Sequence, residues 1–172
     1  LVGAQPVFVD VNPETMLMDA KDLENAYTPK TKAVLPVHLN GHPCDMTEID
    51  RFCKMKDILL VEDCAQALYS TWDGLPVGNL GTGCFSLHPL KILNAFGDAG
   101  FISTSDPLLY HELRLLRNLG LKNRDETTRI SGNSRLDTLQ AAFILAKMDH
   151  VTGWIQKRRK NFDFYYKELN GC

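Results

Sequence analysis

The sequence predicts an α/β fold: a mostly parallel sheet with helices on both faces. Two observations carry this. Short β-prone apolar runs alternate with amphipathic segments in the order strand, helix, strand, helix, strand. The run Ile58–Val61 is apolar at every position, as in strands covered on both sides. A chain of 172 residues, 44% hydrophobic and 23% charged, is long enough to bury such a core.

Taken in order, Pro6–Asp10 is a short apolar run closed by an acid, and a buried strand is expected there. Asn12-Pro13 marks a turn, and Asp19 opens a short helix reaching about Tyr27 with Leu23 and Ala26 on its apolar side. Ala33–Leu39 reads as a second strand whose Pro36 removes a ladder donor, so a bulge or strand end falls there. Asp45 and Glu48 form a D-x-x-E capping pattern ahead of a helix bearing Ile49, Phe52 and Cys53. Ile58–Val61, Gly83–Leu87 and Gly100–Thr104 are the third, fourth and fifth strands. Asp106-Pro107 sets an N-cap before a Pro at the first helical position, and that helix is expected to end at Gly120. Lys122–Arg129 is polar, without periodicity, and reads as a mobile surface loop. From Leu136 apolar residues recur at helical spacing, predicting a helix to about Leu169 with a break near Gly153. The basic run Lys157–Lys160 is read as its solvated face.

A net charge of −2 gives no electrostatic case for nucleic acid or an anionic membrane as partner. No apolar run approaches the roughly 20 residues of a membrane span, and no signal or transit peptide is expected. The chain opens on Leu1 rather than Met, and we read it as a piece of a longer polypeptide. Cys44, Cys53, Cys64, Cys84 and Cys172 are odd in number with no C-x-x-C, which points to reduced thiols and a cytoplasmic setting. The His residues have no metal-ligand spacing, so no metal site is expected.

In open α/β sheets the reactive groups collect beyond the carboxyl ends of the strands. That rule selects Asp63, Ser86, His88 and the loop bearing Lys91. Lys91 sits among uncharged residues, where an ammonium either snorkels to solvent or is there to be deprotonated and used as a nucleophile. Asp63 taken alone is best read as a capping residue. A Lys after one strand and an Asp after its neighbour suit pyridoxal phosphate: the Lys forms a Schiff base with the aldehyde, and the Asp keeps the pyridine nitrogen protonated. Ser86 can then donate to the phosphate.

The blocks Lys30–Leu39 with Gly41, Asp45-Met46, Glu62-Asp63-Cys64-Ala65-Gln66, Phe85–Pro89 with Lys91, Gly97-Asp98 with Gly100, Leu116-Arg117-Asn118 with Gly120, and Asn133–Asp137 arrive in register. Together they resemble the DegT/DnrJ/EryC1/StrS family of pyridoxal-phosphate-dependent sugar aminotransferases, of aspartate-aminotransferase-like (type I) fold. The resemblance implies a partial cofactor-binding large domain over residues 1–150. Residues 151–172 would then begin the connection to a small C-terminal domain that is mostly absent. It implies an amino-group transfer from an amino acid, glutamate by expectation, to a keto-sugar nucleotide. Lys91 matches the Schiff-base lysine, which also moves the proton once freed. Asp63 matches the partner of the pyridine nitrogen, Gln66 the residue beside the ring oxygen, and Ser86 a phosphate ligand. Asn133 matches a residue that reaches the neighbouring subunit's cofactor phosphate, implying a homodimer with shared sites. For His88 a packed, hydrogen-bonded role and a substrate-side role stand even.

The chain also departs from the family pattern. The upstream phosphate-binding turn and the ring-stacking aromatic are not in this sequence, Leu68-Tyr69 replaces the usual His-Gly, and Thr82 stands where Asp is common. Three alternatives are weighed. One is a catalytically incomplete structural or dimerisation module. Another is a relative of the family's dehydratase branch, where a His replaces the lysine. The third is a nucleotide-binding domain, disfavoured because no G-x-G-x-x-G follows a strand.

Overall fold

Strands β1 (Ala33–Val34), β2 (Leu59–Asp63), β5 (Thr82–Ser86) and β6 (Gly100–Ser103) form one sheet in the order β1-β2-β5-β6 in the computed structural model, which describes residues 2–170. β2 is parallel to β1, with Val34 opposite Leu60, and parallel to β5, with Asp63 opposite Cys84. Pro36 interrupts the ladder as expected, and pairing resumes at a single bridge between Val37 and Asp63. A separate hairpin, β3 (Thr71–Trp72) and β4 (Leu75–Pro76), turns on Asp73-Gly74, both at positive φ. Asp-Gly between short apolar runs is a strong hairpin signal.

Helices attach through caps legible in the sequence. The Asp19 carboxylate accepts from the Lys21 amide at 3.0 Å and opens a 3-10 turn (Ala20–Asp22) leading into α1 (Leu23–Ala26). The Asp45 carboxylate accepts from the Glu48 amide at 3.2 Å to start α2 (Met46–Lys56). Asp106 accepts from the Leu108 and Leu109 amides at the start of α3 (Pro107–Leu116). In α2 the residues Met46, Ile49, Phe52 and Cys53 recur on one face and are buried with Val34, Leu60, Leu17 and Leu23. Each large side chain in that cluster contributes about 1.5–3 kcal/mol of transfer free energy. A smaller cluster joins Cys64, Ala67 and Val77 with Phe85 at its edge.

The described residues form two compact units. One runs to Phe85 and resumes over Phe101–Ser134; the other takes Ser86–Gly100 and the described residues from Arg135 onward. The second unit is dominated by α4 (Thr138–Leu169), a single helix of 32 residues. No helix among the described residues is long and apolar enough to cross a membrane.

Several expectations are corrected. Pro6–Asp10 forms no strand: it has no ladder partner among the described residues, and Phe8 is 91% exposed. Apolar composition does not make a strand without partners for the backbone groups. β2 is buried on its Leu60 and Glu62 face and only partly covered on the other, where Val61 is half-buried and Leu59 is 70% exposed. α3 stops at Leu116, short of Gly120; the Gly120 amide still donates to the Leu115 carbonyl at 3.0 Å, closing the helix end. Residues 122–129 are tied down by a Leu121–Thr127 bridge, by the Lys122 amide donating to Glu126 at 3.0 Å, and by a two-pronged ion pair from Arg129 to Glu112. α4 passes Gly153 without a break, because one helix-interior glycine costs only about 1 kcal/mol, spread over many turns. Cys172 lies outside the described residues.

The two glycines should respond oppositely to alanine. At Gly120, φ is +68° and an added Cβ would lie 1.8 Å from the Arg129 carbonyl oxygen, so Gly120→Ala should cost at least about 2 kcal/mol. At Gly153 a Cβ meets nothing within 4 Å, so Gly153→Ala should gain about 1 kcal/mol. Urea midpoints of the two variants check both signs.

Candidate active site

Asp63 ends β2, its backbone pinned from both sides: its amide donates to Pro36 at 2.9 Å and its carbonyl accepts from His38 at 3.1 Å. Its Oδ1 accepts from the Ala65 amide at 2.9 Å. The capping reading is thus met by a turn rather than a helix. Three residues on, Gln66 Oε1 accepts from the Asn40 amide at 2.7 Å. Asn40 is at φ 56°, a strained turn that this bond helps hold. With Oε1 committed, Gln66 offers its Nε2 as a donor.

Beneath Asp63 lies a buried ionisable pair. His38 and Glu62 are 0% and 1% exposed, with Nε2 and Oε2 3.1 Å apart. The Cys44 amide donates to His38 Nδ1 at 3.1 Å, so the ring hydrogen sits on Nε2 and is donated to Glu62. Glu62 also accepts from the Gly78 amide at 2.8 Å and the Gly81 amide at 2.7 Å. Burial alone would raise the Glu62 carboxyl, but the bonds from His38, Gly78 and Gly81 outweigh it and hold it below the ordinary value. Ligand atoms of His38, Glu62 and Cys64 lie within 4.8 Å of one another, as in a metal site. The hydrogen bonds just described already use the imidazole and both carboxylate oxygens, so the cluster is a closed network. Burial pushes the Cys64 thiol up to about 12 and the Cys53 thiol up to about 11, keeping both inert.

In the second unit, Ser86 closes β5 and its Oγ accepts from the His88 amide at 3.3 Å, which leaves the hydroxyl hydrogen free to donate. His88 is half-buried, and its Nδ1 accepts from the Leu90 amide at 3.2 Å. Lys91 follows in a loop whose turns are closed by its own backbone: the Lys91 amide donates to His88 at 2.8 Å and the Ala95 amide to Leu87 at 2.8 Å. Lys91 is half-buried, and its ammonium makes no hydrogen bond or ion pair among the described residues. In the first unit, Asn133 is exposed and forms an isolated antiparallel bridge with Asn118. An amine for an aldehyde, a carboxylate for a pyridinium, an amide N–H for a ring oxygen and a hydroxyl for a phosphate are the donor set that pyridoxal phosphate requires.

The model of the DegT/DnrJ/EryC1/StrS aminotransferase family matches residues 1–172. The chain belongs to this family. Among curated relatives, a pleiotropic regulatory protein of Geobacillus stearothermophilus is 41% identical over 97% of this chain and 45% of its own length. A UDP-N-acetyl-3-dehydro-alpha-D-glucosamine 3-aminotransferase of Acidithiobacillus ferrooxidans is 41% identical over 99% of this chain and 46% of its own. Among solved structures, DesV of S. venezuelae superposes with a TM-score of 0.94 at 37% identity, covering 98% of this chain and 46% of that one. The chain therefore spans a little under half the length of the relatives it matches.

Two groups escape motif reading. Glu62 stands inside a matched block, but its partner His38 is 24 residues away and the pair shows only in three dimensions. Asn94 and Lys147, which brace the Lys91 loop, belong to no motif at all.

Because the folded Glu62 pKa is depressed, its contribution to stability is complete above the ordinary value of 4.5 and is lost as the pH falls through the lower folded value. Glu62→Gln should lower stability at pH 7 by about 2 kcal/mol or more, since an amide cannot accept all three bonds. It should also flatten the acid limb of a melting-temperature curve run from pH 7 to pH 3. An unchanged acid limb would remove Glu62 from this role.

Proposed function

We propose that this chain carries the cofactor-binding core of a pyridoxal-phosphate-dependent aminotransferase that aminates a keto-sugar nucleotide, with an amino acid, glutamate by preference, as donor. Lys91 carries this reading. It is half-buried in the loop that follows β5, its backbone is bonded on either side, and its ammonium is uncommitted among the described residues. When bound, the cofactor is an electron sink that lets an amino group pass from one carbon to another.

The chain's own residues divide the remaining work. Lys91 Nζ would hold the cofactor covalently and, when free as an amine, would carry the proton. Asp63 Oδ2 would accept from the cofactor's ring N–H and keep that proton in place. Gln66 Nε2 would donate to the ring oxygen and Ser86 to the phosphate. His88 would serve the substrate side through Nε2, and Asn133 would serve the phosphate of a partner subunit's cofactor in a homodimer. Residues 1–150 form the large domain, and α4 leads from it into a small domain. The lysine itself supports transamination against dehydration, since the dehydratase branch carries His there. Membership of a family whose relatives include a nucleotide-sugar 3-aminotransferase supports the substrate class.

Lys91→Ala in the full-length protein should abolish the absorbance band that pyridoxal phosphate acquires near the visible edge. A band that persists in this variant would defeat the reading. Asp63→Asn should keep the band and lower turnover on the order of a hundredfold or more, because an uncharged partner no longer holds the ring proton. Absence of any cofactor-induced rise in melting temperature would favour a purely structural module instead.

A further inference from the structure

The loop that carries Lys91 belongs to the same compact unit as α4, and its fixation comes from that helix. Gln140, Phe143 and Lys147 lie on one side of α4, at i, i+3 and i+7. Gln140 Oε1 accepts from the Phe96 amide at 2.8 Å. The Phe143 ring packs edge-on against Phe96 with centroids 4.6 Å apart. Lys147 Nζ donates to the Asn94 carbonyl oxygen at 2.8 Å and to Asn94 Oδ1 at 2.7 Å, and it stands 4.4 Å above the Phe96 ring. Asn94 Nδ2 then donates to the Lys91 carbonyl at 2.8 Å. Leu87, Leu93 and Ala95 are buried under this arrangement.

A lysine ammonium can only donate. Lys147 therefore decides which end of the Asn94 amide is which: Oδ1 turns to the ammonium, and Nδ2 must turn to the Lys91 backbone. No carboxylate pairs with Lys147 among the described residues, so this half-buried charge is compensated by a carbonyl, an amide oxygen and an aromatic face. A neutral residue could fill the same space more cheaply if filling it were the only task.

We propose that Lys147 and Asn94 are positioning residues that set the backbone of Lys91 for capture of the cofactor aldehyde. This rests on the function proposed above. In that capture the neutral Lys91 amine forms a C=N bond to the aldehyde carbon, and the aldehyde oxygen leaves as water with both amine hydrogens.

The test measures capture rather than turnover. Full-length protein is mixed with pyridoxal phosphate alone, quenched with borohydride at intervals, and the label on the Lys91 peptide is quantified across pH. Lys147→Met removes both bonds to Asn94 and keeps the apolar stem. Asn94→Asp keeps an acceptor for Lys147, now as an ion pair, but removes the donor to Lys91. Both variants should label roughly three- to tenfold more slowly, and Asn94→Asp should do so with a melting temperature at or above wild type. Wild-type labelling in Asn94→Asp would overturn the proposal, leaving the pair a structural brace. Should Lys147→Met not fold, the Asn94→Asp rate alone decides. Failure of the wild-type protein to label at Lys91 would overturn the proposed function and this inference together, whereas normal labelling in both variants would overturn this inference alone.

Discussion

The interaction on which the larger unit depends is the buried bond between His38 and Glu62. Glu62 lies on β2, and its two oxygens gather the chain from three directions: the ring of His38 beyond β1, and the amides of Gly78 and Gly81 before β5. Each partner without the others would leave a charge or a polar ring in an apolar interior, at a cost of several kcal/mol. Together they satisfy one another, and no described buried side-chain nitrogen or oxygen lacks a partner. The network also explains why glycines crowd this corner. A Cβ on Gly81 would fall 2.4 Å from the Leu60 carbonyl oxygen, so only glycine lets the Gly81 amide come close enough to reach Glu62.

Much of the fold is legible in the sequence because its signals are local. Asp19, Asp45 and Asp106 open their helices as capping chemistry requires, and Pro36 breaks its ladder. Two of the departures share one cause. Pro6–Asp10 and Leu59 are apolar residues whose cover lies elsewhere than composition suggests, and apolarity does not say what covers a residue. Gly153 is a different case: a long helix absorbs a single interior glycine.

The candidate site divides in the same way. Lys91, Asp63, Gln66 and Ser86 stand out because their types and order match a family pattern; Asp63 ends β2, Ser86 ends β5, and Lys91 lies in the loop after it. What motif reading misses are groups that act through another residue. Gln66 Oε1 spends itself on Asn40, Lys147 bonds Asn94, and Asn94 bonds the Lys91 carbonyl; such contacts leave no spacing to detect.

The separation between Asn94 and Lys147 bears on synthesis. Lys147 follows Asn94 by 53 residues. At roughly 5–20 residues per second, a ribosome needs several seconds to extend from one to the other. Until Lys147 has been made, the bonds that join Asn94 to α4 cannot form, so the loop around Lys91 is fixed only by chain that follows it much later in the sequence.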